Sequence, residues 1–181
     1  MTCTLIPVVF QTLERVVPDT AEAIIEEIRV AFAGIKRGSI TLHEAMEIDT
    51  YCTADERARA RLTDKDSHWE EVPDEHIHRC YCALTYLDPE SWRYYIPAYM
   101  IFTLNYCDQT ARQPGEGFHS SASFDSTIIS LSGWFSEHRY PLMNEEQSQA
   151  IRSFLQYMAD MQQDDSIRNA IVEFWNPSEP S

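Results

Sequence analysis

SWRYYIPAYM, residues 91–100, sets four aromatic side chains and a proline within ten positions of a chain that carries 29 Asp and Glu against 14 Lys and Arg. Such a cluster is either a binding platform or the place where the chain enters its own core, and Pro97 decides between them. In a helix interior proline removes a hydrogen bond and clashes with the preceding turn, whereas at the first helical position its fixed φ is already suitable. The sequence therefore predicts a helix that starts at Pro97. The run that follows, PAYMIFTLNYC, is apolar on nearly every side and reads as a helix surrounded by protein. Trp92, Tyr94 and Tyr95 are expected just outside it, their rings sealing the entrance to the core.

Working outward, Ile77, Cys80, Tyr81, Leu84 and Leu87 keep helical spacing from Asp74 to Leu87, and Asp88-Pro89 ends that helix because the residue before proline is pushed out of the α region. Further upstream, Asp19 and Glu22 resemble a capping box ahead of Ile24, Ile25, Ile28, Ala31, Phe32 and Ile35, with Gly34 and Gly38 bracketing the end. A second box, Thr41 and Glu44, opens TLHEAMEIDTY, and ADERARARLTD after Thr53 is charged nearly all round, as expected of a solvated helix.

Downstream, DQTARQPGEGFHSSAS (Asp108 to Ser123) reads as a long loop, functional or disordered. Ile128, Leu131 and Phe135 mark a further helix. Asn144 and Gln147 cap NEEQSQAIRSFLQYMADM, whose stripe is Ile151, Phe154, Leu155 and Met158, and DSIRNAIVEFW supplies a last helix before NPSEPS. The fold expected is all-α: a single compact domain of six to eight helices around a central apolar helix. It spans residues 19–175, with an N-terminal extension at 1–18 and a disordered tail at 176–181.

A chain of 181 residues can bury roughly 70 % of its unfolded surface, and 44 % apolar residues exclude wholesale disorder. The formal charge of -15 argues against nucleic acid or anionic membrane as partners, since both require clustered Lys and Arg, and favours a basic partner. Five cysteines without a paired framework fit a reducing compartment, and neither a signal sequence nor a membrane span is recognisable, so a cytoplasmic location is expected.

No local constellation carries chemistry. His76 and His78 stand two apart and diverge on a helix, so they do not make an H-E-x-x-H pair. Asp64, Asp66 and His68 share a loop and could converge on a metal, against the plainer reading of a solvated acidic loop. Cys80 and Cys82 read as small core residues, and nothing basic beside Cys52 activates it. His119, Ser120, Ser121, Ser123 and Asp125 supply the residue types of a hydrolytic triad without a nucleophile-elbow motif, and no phosphate-binding glycine loop is present. No catalytic, cofactor or metal residues are therefore assigned.

The segment from Asp64 to Glu75 gathers Asp64, Asp66, Glu70, Glu71, Asp74 and Glu75 around Trp69, against one Lys65. An aromatic ring among carboxylates suits a basic partner, the ring supplying area and the charges speeding encounter. Alternatively, Trp69 folds inward as a staple.

TLHEAMEIDTY, Trp69 to Ile77 (W-E-E-V-P-D-E-x-I), Ala83 to Met100 (ALTYLDPESWRYYIPAYM) and NEEQSQAIRSFLQYM together resemble an uncharacterised bacterial domain-of-unknown-function family, over about Thr20 to Met161. The resemblance carries no catalytic set. It implies a role of the kind held by small acidic proteins encoded beside secreted toxins: an immunity protein neutralising a basic protein toxin. The expected function is thus non-enzymatic binding. The alternative is a small-ligand-binding protein or enzyme with a pocket near Tyr94, Tyr95 and His119, and a third reading is a self-associating homo-oligomer.

Overall fold

The computed structural model describes residues 20–50, 52–107, 121–133 and 139–176. They form an all-α domain, 73 % helical, with eight α-helices and no strand among the described residues. The expected extension at 1–18, His119, Ser120, Phe135 and nearly all of the expected tail lie outside the described residues.

α1 (Ala21–Ala31) is capped by Thr20, whose hydroxyl accepts from the Ala23 amide at 3.2 Å, and Ile24, Ile28 and Phe32 turn the predicted stripe inward. The cap is Thr20 rather than Asp19. α2 (Leu42–Asp49) opens on the Thr41/Glu44 box read from the sequence, and α3 (Ala54–Arg61) opens on Thr53/Glu56. α3 buries none of its side chains. It is held by charge: Arg57 and Arg61 reach the buried Glu44 carboxylate of α2 at 2.9 and 2.5 Å. A buried carboxylate requires such partners, and two guanidinium groups meet the requirement.

The expected helix over Asp74–Leu87 is broken. α4 covers only Asp74–Arg79, Cys80 ends it, and a single 3-10 turn, Ala83–Thr85, follows. The apolar spacing is the same in both arrangements, because Ile77, Cys80, Leu84 and Leu87 all still face the core.

The central helix starts at the other proline. α5 runs Pro89–Tyr106, with Asp88 as N-cap accepting from the Ser91 amide at 2.8 Å and Pro89 in the first turn. Pro97 lies inside it, so Trp92, Tyr94 and Tyr95 are helical core residues and not a seal outside the core. An interior proline costs about 3 kcal/mol. Twelve of the 18 residues of α5 are buried, and each large apolar side chain among them recovers about 1.5–3 kcal/mol, so packing overrides local preference.

Around α5 pack α1, α4 and α6 (Ser121–Ser132), while α7 (Glu145–Gln162), capped by Asn144 and Gln147 as predicted, lies against α1 and α8 (Asp165–Ala170). α6 begins within the segment expected to be loop, so residues 121–123 of that segment are helical. Two indoles lock this side: Trp92 Nε1 donates to Ser130 Oγ at 2.7 Å, and Trp175 Nε1 to the Leu131 carbonyl at 2.8 Å. The buried Arg139 lies 5.1 Å over the Trp92 ring and donates to Ser130 Oγ and the Leu84 carbonyl; burial pushes its guanidinium down to about 10.

Candidate functional site

The acidic segment does not remain together on the surface. Asp64 and Asp66 are 5 % and 8 % exposed, which corrects the reading of a solvated acidic loop. Trp69, 2 % exposed, faces inward and donates its indole N–H to the Phe32 carbonyl at the end of α1 at 2.8 Å. It is the staple and not a projecting hot spot, because its one polar atom finds a backbone partner inside. Glu70, Glu71 and Glu75 stay exposed, and Asp74 is half-buried, accepting from the Tyr106 hydroxyl at 2.7 Å. Glu71 folds back on its own turn: hydrogen bonds from Ser67 and His68 hold its carboxyl below the usual range.

The two buried aspartates anchor opposite halves of one polar cluster. Arg37 Nη1 bridges them, donating to the Asp64 carbonyl and to Asp66 Oδ2, each at 3.2 Å. Asp66 Oδ2 also accepts from Tyr94 at 2.9 Å. Tyr94 and Tyr95 meet edge to face at 4.8 Å, both fully buried, and burial followed by the neighbouring Asp66 charge raises both phenols. These rings are core; the pocket expected beside them has its third member, His119, outside the described residues.

Asp64 faces the other way, toward two histidines. Its carboxylate accepts from the His43 backbone amide at 2.8 Å and lies 2.7 Å from His43 Nδ1 and 3.8 Å from His76 Nδ1. Burial pushes the Asp64 carboxyl up, but hydrogen bonds led by those of His43 outweigh it and hold it low. The imidazoles meet edge to face at 4.6 Å, and their side chains keep 21 % and 23 % exposure over a carboxylate that keeps 1 %. His76 is lowered first by burial and then by His43, against the pull of Asp64, so its neutral form is favoured. One ligand atom from each of His43, Asp64 and His76 can be chosen so that all lie within 4.8 Å of one another.

Sequence reasoning placed Asp64 with Asp66 and His68 and missed this trio. His43 lies 21 residues before Asp64, on the first turn of α2, and His76 stands on α4 across the acidic turn. Local spacing holds no trace of a meeting that only the tertiary fold brings about.

A second feature adjoins the first. A groove of about 180 Å³ beside α4 and α5 is lined by Val72, Ile77, Ile101 and Trp69, by two acids, Glu70 and Asp74, and by one cation, Arg29. A wider cleft of about 580 Å³ between α1 and α7 mixes Lys36 and Arg93 with Glu90 and Glu146, so it offers no single sign of charge. Cys80 is buried, which pushes its thiol up to about 12 and fits the core reading. No described helix is long and apolar enough to cross a membrane.

Neither a curated protein nor a solved structure matches the chain. A family model does, across residues 20–179, a span that takes in every described helix from α1 to α8, the acidic turn and the His43–Asp64–His76 cluster, and the chain thus belongs to a family of unknown function, DUF6714.

Proposed function

We propose that the protein is an acidic, non-enzymatic binding protein of the cytoplasm that docks a basic protein, most concretely an immunity protein that covers the active site of a cognate basic toxin. The groove beside α4 carries this reading. It sets apolar side chains (Val72, Ile77, Ile101) beside two carboxylates, Glu70 and Asp74, against the one cation Arg29, in the segment of densest negative charge. That combination suits a Lys or Arg side chain, whose aliphatic stem lies on apolar surface while its head stays with anions. Glu71 and Glu75, exposed in the same segment, add to the field that steers a positively charged surface inward.

The proposed contact set is narrower than the acidic segment. Glu70, Glu71, Asp74 and Glu75 meet the partner, while Asp64, Asp66 and Trp69 shape the surface from inside. The test is capture from the native cell extract with tagged wild type and with an E70K/E75K double variant, followed by an activity assay on what is captured. The expected result is one stoichiometric basic protein, retained by wild type at moderate salt, lost from the variant, and inhibited in the complex. Equal capture by both proteins, or no inhibition of the captured protein, overturns the reading.

A further inference from the structure

We infer that His43, Asp64 and His76 form a binding site for one divalent transition-metal ion of the zinc, cobalt or iron(II) kind, independent of the docking reading. The donor set is two imidazoles and one carboxylate, the composition of open three-ligand sites in which water or a bound group completes the coordination shell. Nothing about it is local in sequence: α2, the loop after α3 and α4 each deliver one donor.

Three observations support a metal over a plain hydrogen-bonded triad. First, the two edges at Asp64 are within a small adjustment of closure, and the third, between the imidazoles, is no longer than 4.8 Å. Donors at about 2.0–2.2 Å from one ion stand roughly 3.0–3.5 Å apart. His43 Nδ1 at 2.7 Å from Asp64 is slightly inside that range, and His76 Nδ1 at 3.8 Å is slightly outside it. Second, His76 Nδ1 is shielded from solvent, faces Asp64 and has no hydrogen-bond partner among the described residues. A ring nitrogen so placed is left unused by the hydrogen-bonded state and would be used by a metal. Third, the supporting shell exists. Asp64 is fixed by the His43 amide and its backbone carbonyl by Arg37, as ligating carboxylates usually are. The partial exposure of both imidazoles over a buried carboxylate leaves a path for the ion from one side.

Coordination through Nδ1 replaces the His43–Asp64 hydrogen bond: a neutral imidazole then carries its one hydrogen on Nε2, so two neutral imidazoles and an ionised carboxylate take up the ion with no net release of protons. The site needs no redox change and no further co-reactant.

The test is titration of chelator-treated, dialysed full-length protein with Zn²⁺ alone and with Co²⁺ alone, by calorimetry and by cobalt visible absorption. The expected result is one equivalent bound per chain, with a raised melting temperature. H76Q is expected to weaken binding by more than the 10–100-fold that loss of a mere supporting residue causes. H68Q, an exposed histidine of the same segment, is expected to change nothing. In wild type, paramagnetic Co²⁺ is expected to shift the ring signals of His43 and His76 before those of His68, a readout that does not depend on any variant folding. Absence of stoichiometric binding, equal binding by H76Q, or a cobalt effect centred on His68 overturns the inference.

Discussion

Gly38→Ala separates two opposed contributions, and the structure says which wins. Gly38 does not have a left-handed φ, so alanine can adopt its backbone, and the loss of unfolded-state freedom alone would stabilise the variant by about 0.4–1 kcal/mol. Against this, an added Cβ would stand 2.4 Å from the Ser91 amide nitrogen, 2.5 Å from Ser91 Oγ and 2.7 Å from Asp88 Oδ1. Normal contacts are about 3.5–4.0 Å, so the two segments must part by roughly 1 Å. The neighbour cannot yield, because Ser91 is fully buried in the first turn of α5. What parts is the knot tying the chain before α2 to the α5 cap: Ser39 Oγ to Asp88 at 2.6 Å, and the Ile40 amide to Ser91 Oγ at 3.0 Å and Asp88 at 3.2 Å. Losing these bonds at about 1 kcal/mol each, with part of a cap worth about 1 kcal/mol, gives a destabilisation of roughly 2–4 kcal/mol before the entropic gain is subtracted. Chemical denaturation should therefore show a net loss of about 2–3 kcal/mol, or roughly 4–12 °C in melting temperature. A variant as stable as wild type, or more so, would refute the close approach. Gly34→Ala is the internal control: its φ of 71° strains alanine, yet nothing lies within 4 Å of the new Cβ, so only the backbone cost of about 1–2 kcal/mol is expected.

Trp69→Ala should lower stability by about 3–5 kcal/mol through lost burial and the orphaned Phe32 carbonyl, measured by urea unfolding; a loss below 1 kcal/mol would return Trp69 to the surface. Tyr94→Phe removes one of the hydrogen bonds on the buried Asp66 carboxylate and should cost about 1.5–3 kcal/mol in the same assay, whereas no change would mean that water replaces the hydroxyl. Asp88 gives the pH dependence: burial pushes its carboxyl up, but hydrogen bonds from Ser39, Ser91 and Ile40 outweigh burial and hold it below the ordinary value. Its folded pKa being the lower, its contribution is complete above the unfolded value of about 3.9 and is lost as pH falls through the folded one. The stability gap between wild type and D88N should accordingly narrow below about pH 4; a gap that is constant with pH would contradict the cap network.

Helix existence was legible in the sequence wherever a cap and an apolar stripe agreed, as at Thr41/Glu44 and at Asn144/Gln147. The starting point of α5 was not. Both prolines fit a first helical position, but Asp88-Pro89 reads as the end of the preceding helix, which leaves Pro97 as the start of this one. Pro89 is the one that takes it, since Asp88 provides a cap and the packing of Trp92, Tyr94 and Tyr95 covers the cost of a proline about two turns further in. The end of α4 was hidden for a different reason. A helix and a 3-10 turn place Ile77, Cys80 and Leu84 on the same side, so apolar spacing cannot tell them apart. The site was the least legible part: acids adjacent in sequence sort into buried and exposed sets according to which cations the fold brings to them, and Arg37 and His43 come from 29 and 21 residues away.

The groove and the histidine cluster are joined by α4, and that junction gives the two proposals a shared consequence. On this six-residue helix Asp74 and Ile77 line the groove while His76 turns to Asp64. A helix so short has little stability of its own and depends on what its side chains hold. An ion bridging His43, Asp64 and His76 would tie α4 to α2 and to the loop after α3, fixing Asp74 in place beside the groove. An ion present at 100 times its dissociation constant stabilises the bound form by about 2.7 kcal/mol, enough to order a segment of this length. Coupling between two binding sites is reciprocal, so whatever factor the metal adds to the affinity of the basic partner, the partner must add to the affinity of the metal. Measured partner affinities with Zn²⁺ and with chelator should therefore differ by the same factor as zinc affinities with and without partner. If both ligands bind and neither changes the other, α4 is rigid without help and the two sites work separately.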